Sequence, residues 1–157
     1  MYHKLNTMSC TNPNPWYAKK HTHHSQFSDI EFIEAFEKAV LDPKLFNHEA
    51  HLRLAWIYLQ NFGEQKAIEK TCSGIKHFDI VCGNGDKFHT TITVASVKMV
   101  RHFIKKSKSA SYFDFIEEFP QLKVAFKEIL GQHYSPEVFI SKKAKVDYIA
   151  PDVLPFD

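Results

Sequence analysis

Residues 46–59 read FNHEAHLRLAWIYL, and the spacing within this stretch decides the fold class. Advancing ~100° per residue along an α-helix puts His48, Leu52, Ala55 and Leu59 in one stripe, with His51 beside it next to Ala55 and Tyr58. Both imidazoles therefore face the core, while Arg53 and Gln60 fall on the opposite side, where solvent is expected. Asn47 supplies an N-cap for this helix, which runs through Gln60, and Gly63 closes it. A helix with one apolar face must bury that face against neighbouring elements.

The flanking segments supply those neighbours. Ser28 and Glu31 form a capping box, after which Ile30, Ile33, Phe36 and Val40 recur at helical spacing before Pro43. A third helical pattern spans about Glu64 to Val81, with a weak point at Gly74. CGNGD (82–86) is a turn, and Asp86 can cap a fourth helix through Lys106. KKSKSAS (105–111) reads as a solvated connection. Shorter helices follow over Tyr112–Phe119, stopped by Pro120, and over Gln121–Leu130, closed by Gly131. Ser135-Pro136 can start one helical turn and Ser141 can cap another through Tyr148, before PDVLPFD (151–157) forces an extended end. The β-branched TTITV (90–94) is the stretch with most strand character. The expected fold is all-α: a single-domain helical bundle of about four main helices, with short C-terminal helices and an extended tail. Residues 1–26 are polar and carry Pro13 and Pro15, so they read as a flexible N-terminal arm that Trp16 and Tyr17 could dock. Residues 27–157 form the domain.

Composition narrows the function classes. The 157 residues are 44% hydrophobic and 24% charged, with 14 Phe available for a core, so the chain is that of a folded domain needing no disulfide or structural metal. Twenty Lys plus Arg against 18 Asp plus Glu leave a net charge of only +2. Arg53 and Arg101 are the only arginines, which argues against a nucleic-acid binder. Cys10, Cys72 and Cys82 are odd in number and form no CxxC pair, so a reducing, cytoplasmic setting is expected. No run approaches the ~18 apolar residues of a membrane span. Glycine-rich phosphate loops and a GxSxG element are missing, and Cys72 and Cys82 read as buried small residues.

The chemistry-bearing residues are histidines. In KFHTTITVASVKMVRHFI (87–104), His89 shares a helix face with Ile92, Thr93, Ser96, Val97 and Val100, whereas Lys98, Arg101 and Lys105 lie opposite. Three inward imidazoles need partners, and Glu37, on the flank of the first helix's apolar face near Ile33 and Val40, is the candidate carboxylate. His48, His51, His89 and Glu37 together would suit one divalent ion, zinc, iron, nickel or manganese. Tyr134, Thr93 and Asp152 are candidate proton or hydrogen-bond groups beside it. Asp86 and His89 have D-x-x-H spacing, with Asp86 reading first as a cap. HTHH (21–24) lies in the arm and could hold ions adventitiously. His3, His77 and His102 are expected at the surface, and His133-Tyr134-Ser135 at a packing corner or folded over the site.

The combination of AFE (35–37), F-x-H-x-x-H-L-x-x-A-W (46–56), [FY]-H-x-T-I-T (88–93), Tyr134-Ser135 and PD-x-x-P (151–155) resembles a widespread, uncharacterised family of small bacterial helical proteins. The resemblance covers about Phe32 to Phe156, through Glu37, His48, His51, Leu52, Ala55, Trp56, His89, Thr91, Thr93, Tyr134, Ser135, Pro151 and Asp152. The family often carries an acidic residue where this chain has Thr90. It implies that the histidines form a recurring pattern, and it carries no activity. The expected function is that of a small metal-dependent enzyme, a hydrolase or an oxidoreductase, acting on a small molecule. The alternatives are a non-enzymatic helical module that binds a ligand or protein over a structural histidine network, and metal-free acid–base catalysis by the histidine pair.

Overall fold

A computed structural model describes residues 21–157, within which the backbone forms nine α-helices, two 3₁₀ turns and no strand. Trp16, Tyr17, Cys10 and most of the expected arm lie outside the described residues. The first helix, α1 (Asp29–Glu37), begins with the expected capping box: Ser28 Oγ accepts the Glu31 N–H at 3.2 Å, and the Glu31 carboxylate accepts the Ser28 N–H at 2.8 Å. Its buried face is centred on Phe32 and Phe36, not on Ile33 and Val40, and Ile30 is 74% exposed. The two phenylalanines remove more apolar area from water than the aliphatic residues beside them, so they set the helix rotation.

Helix α2 (His48–Phe62) starts at Asn47, whose side chain accepts the Ala50 N–H at 3.0 Å, and stops at Gly63. Gly63, with φ 76° and ψ 176°, is at once the C-cap of α2 and the N-cap of α3 (Glu64–Cys82), a backbone region open essentially to glycine. Helix α3 continues through Gly74. A Cβ there would sit 2.6 Å from Phe36 Cε1, so the bare backbone is what lets the ring of α1 seat against α3.

Helix α4 (Thr90–Ile104) is capped by His89, not by Asp86. The Asp79 carboxylate at the end of α3 accepts the N–H groups of Lys87 and Phe88, at 2.8 and 3.0 Å, and this fixes the turn so that His89 arrives at the cap position. The β-branched run is helical because its hydroxyls have partners there. Those of Thr90 and Thr91 donate to the carbonyls of Val146 and Asp147, each at 2.9 Å, and that of Thr93 to the His89 carbonyl at 2.8 Å.

Helices α2, α3 and α4 pack mutually and form the centre of the molecule. Helices α5 (Tyr112–Glu118) and α6 (Gln121–Val124) cover α2, and α7 (Phe126–Leu130) follows after a break at Ala125, whose φ of −132° ends the helix expected to run unbroken from Gln121. Helices α8 (Pro136–Ile140) and α9 (Lys142–Val146) lead to the tail, with α9 against α4. The tail is pinned at Val153, whose N–H donates to the His133 carbonyl at 3.0 Å. Asp157 pairs with Arg101, His102 and Lys105. Among the described residues no helix is long and apolar enough to cross a membrane.

The main departure from expectation is Arg53, which is 1% exposed. Its guanidinium donates to the carbonyls of His24 and Phe27 and to Asp29 Oδ1, the Asp29 contact being 2.8 Å from Nη2. It also lies 4.8 and 5.0 Å from the ring centroids of Phe32 and Phe113. The face of α2 expected to meet water is therefore covered by residues 21–29. Within the expected arm, His24 is fully buried, so the packed domain begins before residue 27. Replacing Arg53 by Met keeps much of the volume but leaves the His24 and Phe27 carbonyls without donors. The expected loss of stability is about 2–5 kcal/mol, read as a lower urea midpoint. An unchanged midpoint would show that the guanidinium is not what holds this segment down.

Candidate functional site

A cavity of about 1030 Å³ lies among α2, α3 and α4, with Phe126 of α7 and Phe139 of α8 on its wall. Ala55, Phe46, Phe78 and Val97 make much of that wall apolar, and His48, His51 and His89 all reach it, as do Thr71, Thr93 and Ser96. Helical phase brings His48 and His51 of α2 to this space, and the cap position ahead of α4 brings His89 to it. Lys87, Lys123 and Lys127 with Glu128 are the exposed members of the wall drawn from Lys, Asp and Glu, and they give the rim a basic character.

Backbone partners set the proton position on each ring. His48 Nε2 is 2.9 Å from the Leu122 carbonyl, which can only accept, so this nitrogen carries the hydrogen and Nδ1 is the free atom. His51 Nδ1 is 2.7 Å from the Asn47 carbonyl, so it donates and Nε2 keeps its lone pair. Burial pushes the His51 pKa below the usual imidazole value, and His48 beside it adds to this, against the opposing Asn47 hydrogen bond. His89 is the reverse case. Its Nδ1 accepts the Ile92 N–H at 3.2 Å, so in the neutral ring the hydrogen sits on Nε2. Burial, with help from the Lys145 charge, holds this ring below its ordinary pKa, while the Phe139 carbonyl acts the other way. His89 Nε2 is buried and makes no hydrogen bond, and neither does Thr71 Oγ1, on a residue 3% exposed. The wall of the cavity thus carries His51, whose Nε2 keeps its lone pair, and two residues, His89 and Thr71, whose Nε2 and Oγ1 lie just beneath the surface without a hydrogen bond.

The remaining expected site residues serve elsewhere. Glu37 is not on the cavity wall: the Tyr58 hydroxyl donates to its Oε1 at 2.8 Å and Lys70 Nζ lies 3.1 Å away. The shift of the buried face of α1 towards Phe32 and Phe36 is what turns Glu37 to these partners. Tyr134 is buried, with its hydroxyl donating to the Ile149 carbonyl at 2.9 Å, and Asp152 accepts the Ser135 N–H at 2.8 Å and the Ser135 hydroxyl. Both fasten the C-terminal tail. His133 does the same through Nδ1, 2.8 Å from the Leu154 carbonyl, and its ring stacks on Phe156. Thr93 is the one auxiliary residue that stays on the wall. The Cys72 thiol is pushed up to about 11 by burial, away from nucleophilic use.

A different set of metal-competent side chains comes together. Among the described residues, three ligand atoms within 4.8 Å of one another are offered by His23, His24 and Glu49, not by His48, His51, His89 and Glu37. Sequence reasoning placed His23 and His24 in an arm. The available signal was that Glu49 lies one helical turn before Arg53, on the face that the residues 21–29 cover. The chain matches no family model, no curated protein and no solved structure.

Three imidazoles are thus held below their ordinary pKa chiefly by desolvation: the half-buried His51 and His89, and the fully buried His24, which is pulled down to about 4. Unfolding restores ordinary imidazoles near 6.5, which bind protons more readily, so their stabilising contribution is complete above pH ~6.5 and declines as the pH falls towards 4. Urea unfolding at pH 7.5 and pH 5 should give a clearly lower midpoint at pH 5. Equal midpoints would mean that the rings are solvated in the folded chain.

Proposed function

We propose that the chain binds, in this cavity, a small molecule with a mainly apolar body and a hydrogen-bond-accepting head, a carbonyl or carboxylate, and that His51 and His89 are placed for acid–base chemistry on it. The observation that carries the reading is the pair of unpartnered buried polar atoms, His89 Nε2 and Thr71 Oγ1, on the wall of one apolar cavity. A buried polar atom without a partner costs roughly 1–3 kcal/mol. An acceptor group seated against either residue, with a small rotation of its side chain into the cavity, would supply the missing partner. His89 would donate to the ligand oxygen, His51 Nε2 would take a proton from an acidic neighbouring position, and the lysines of the rim would favour an anionic head. The volume is on the scale of small-molecule pockets, about 300–1,000 Å³. With a substrate that has a labile proton the protein would be an enzyme; with one that lacks it, a binding module.

A metal-dependent enzyme remains the second reading, favoured by one contact. The Asn47 carbonyl holds His51 Nδ1–H in the manner of the outer-shell partner of a metal-ligating histidine, and His48 lies one turn away on the same helix. A zinc, iron, nickel or manganese ion there would use these two rings and water, because His89 Nε2 carries a hydrogen while its Nδ1 caps α4.

An apolar anionic fluorophore, 1-anilinonaphthalene-8-sulfonate, should bind the chelator-treated protein saturably at about one per chain and be displaced by medium-chain carboxylates. Ser96→Phe, which fills the cavity from a half-buried position, should abolish this, and His89→Phe should weaken it at least tenfold. Unaltered binding to both variants would overturn the cavity reading. Binding that appears only after adding a divalent metal would put the second reading in its place.

A further inference from the structure

Away from the cavity, the 3₁₀ turn His24–Gln26 carries a side chain that the fold does not satisfy. His24 is fully buried, and both its ring nitrogens lack a hydrogen-bond partner. Across from it stands the Glu49 carboxylate, with Oε1 4.0 Å from His24 Nε2 and Oε2 4.0 Å from His23 Nε2. The two imidazoles lie together, with ring centroids 4.3 Å apart. This conformation is held from both sides. Arg53 binds the His24 carbonyl, and the Tyr112 hydroxyl donates to the Glu49 carbonyl at 2.8 Å.

We propose that His23, His24 and Glu49 form a site for a divalent transition metal that clips the N-terminal segment onto α2. Metal–ligand bonds of ~2.0–2.2 Å at tetrahedral angles put neighbouring ligand atoms about 3.3 Å apart, so side-chain rotations that draw in three ligand atoms already within 4.8 Å of one another would close them around an ion. Two nitrogens and one carboxylate oxygen, with a position left for water, suit zinc or cobalt. His23 can present its Nε2 lone pair because Nδ1 lies 2.8 Å from Ser25 Oγ and can donate to it, giving up the longer 3.2 Å contact from the Ser25 N–H. The Nδ1 atom of His89 is instead committed to capping α4, which is why the same argument does not extend to it. Lys123 Nζ, 3.0 Å from Glu49 Oε2 on a half-exposed side chain, occupies the carboxylate as the ion's competitor.

That competition gives the test. Untagged protein of all 157 residues, stripped with a chelator, is titrated with Zn²⁺ by calorimetry and with Co²⁺ by visible absorption. The site requires about one ion per chain, tetrahedral cobalt bands and a raised thermal midpoint. Glu49→Gln, which keeps the shape of the side chain, should weaken zinc at least tenfold, whereas Lys123→Gln should tighten it several-fold. His21→Ala and His48→Ala should leave it unchanged. Glu49→Gln should still bind the cavity fluorophore, which separates this site from the cavity and shows that the variant folds. Zinc affinity indifferent to both Glu49→Gln and Lys123→Gln, or lost with His48→Ala, would overturn the proposal.

Discussion

One buried guanidinium holds the architecture together. Arg53 sits at the middle of α2 and gathers two main-chain carbonyls and a carboxylate from residues 24–29, under the rings of Phe32 and Phe113. Because a buried cation is tolerable only when surrounded by acceptors, the segment that supplies them must stay closed over the helix. With that face covered and the opposite face packed on α3 and α4, the middle of α2 is enclosed and the half-buried His51 is held on the cavity wall, while His48 in the first turn stays exposed. The site depends on this constraint, since a mobile α2 would not keep His51 aimed at a space whose other wall is built from α4.

Within the cavity, the backbone assigns the chemistry. Carbonyls of Leu122 and Asn47 take the hydrogens of His48 and His51, while the first turn of α4 gives one to His89. The rings therefore differ in what they offer even though they share a residue type. His51 is a lone-pair nitrogen and His89 a donor, and both are held neutral by the same burial that makes an unfilled hydrogen bond expensive. A hydrogen-bond donor and a lone-pair nitrogen thus stand on one largely apolar wall.

Much of this was legible in the sequence, wherever local chemistry decides. The Ser28–Glu31 box, the Asn47 cap and the Gly63 stop depend on side chains within a few positions of the backbone they serve, and they stand where expected. Helical phase was enough to bring His48 and His51 to one cavity, whereas His89 reaches it from the cap position and not from the helical face assigned to it. What was not legible required long-range partners. A single-stripe reading of α2 sends Arg53 to solvent, because nothing in residues 46–59 indicates that a polar N-terminal segment will fold across the other side. Asp86 and His89 are both capping residues, and the choice between them is made by Asp79, at the far end of α3. Glu37 lost its place beside the histidines when Phe32 and Phe36 set the rotation of α1, and Tyr134 and Asp152 lost theirs to a tail that folds back on them. For the same reason His23 and His24, in a stretch without periodicity, could not be seen to meet Glu49.

The central claim is that the two cavity imidazoles of opposite role hold their protons on different nitrogens, His51 on Nδ1 and His89 on Nε2, and long-range ¹H–¹⁵N correlation of the histidine rings at pH 7 reads this directly. His51 should appear neutral with its hydrogen on Nδ1, and His89 neutral with its hydrogen on Nε2. His51 with its hydrogen on Nε2, or His89 with its hydrogen on Nδ1 or doubly protonated, would contradict the account.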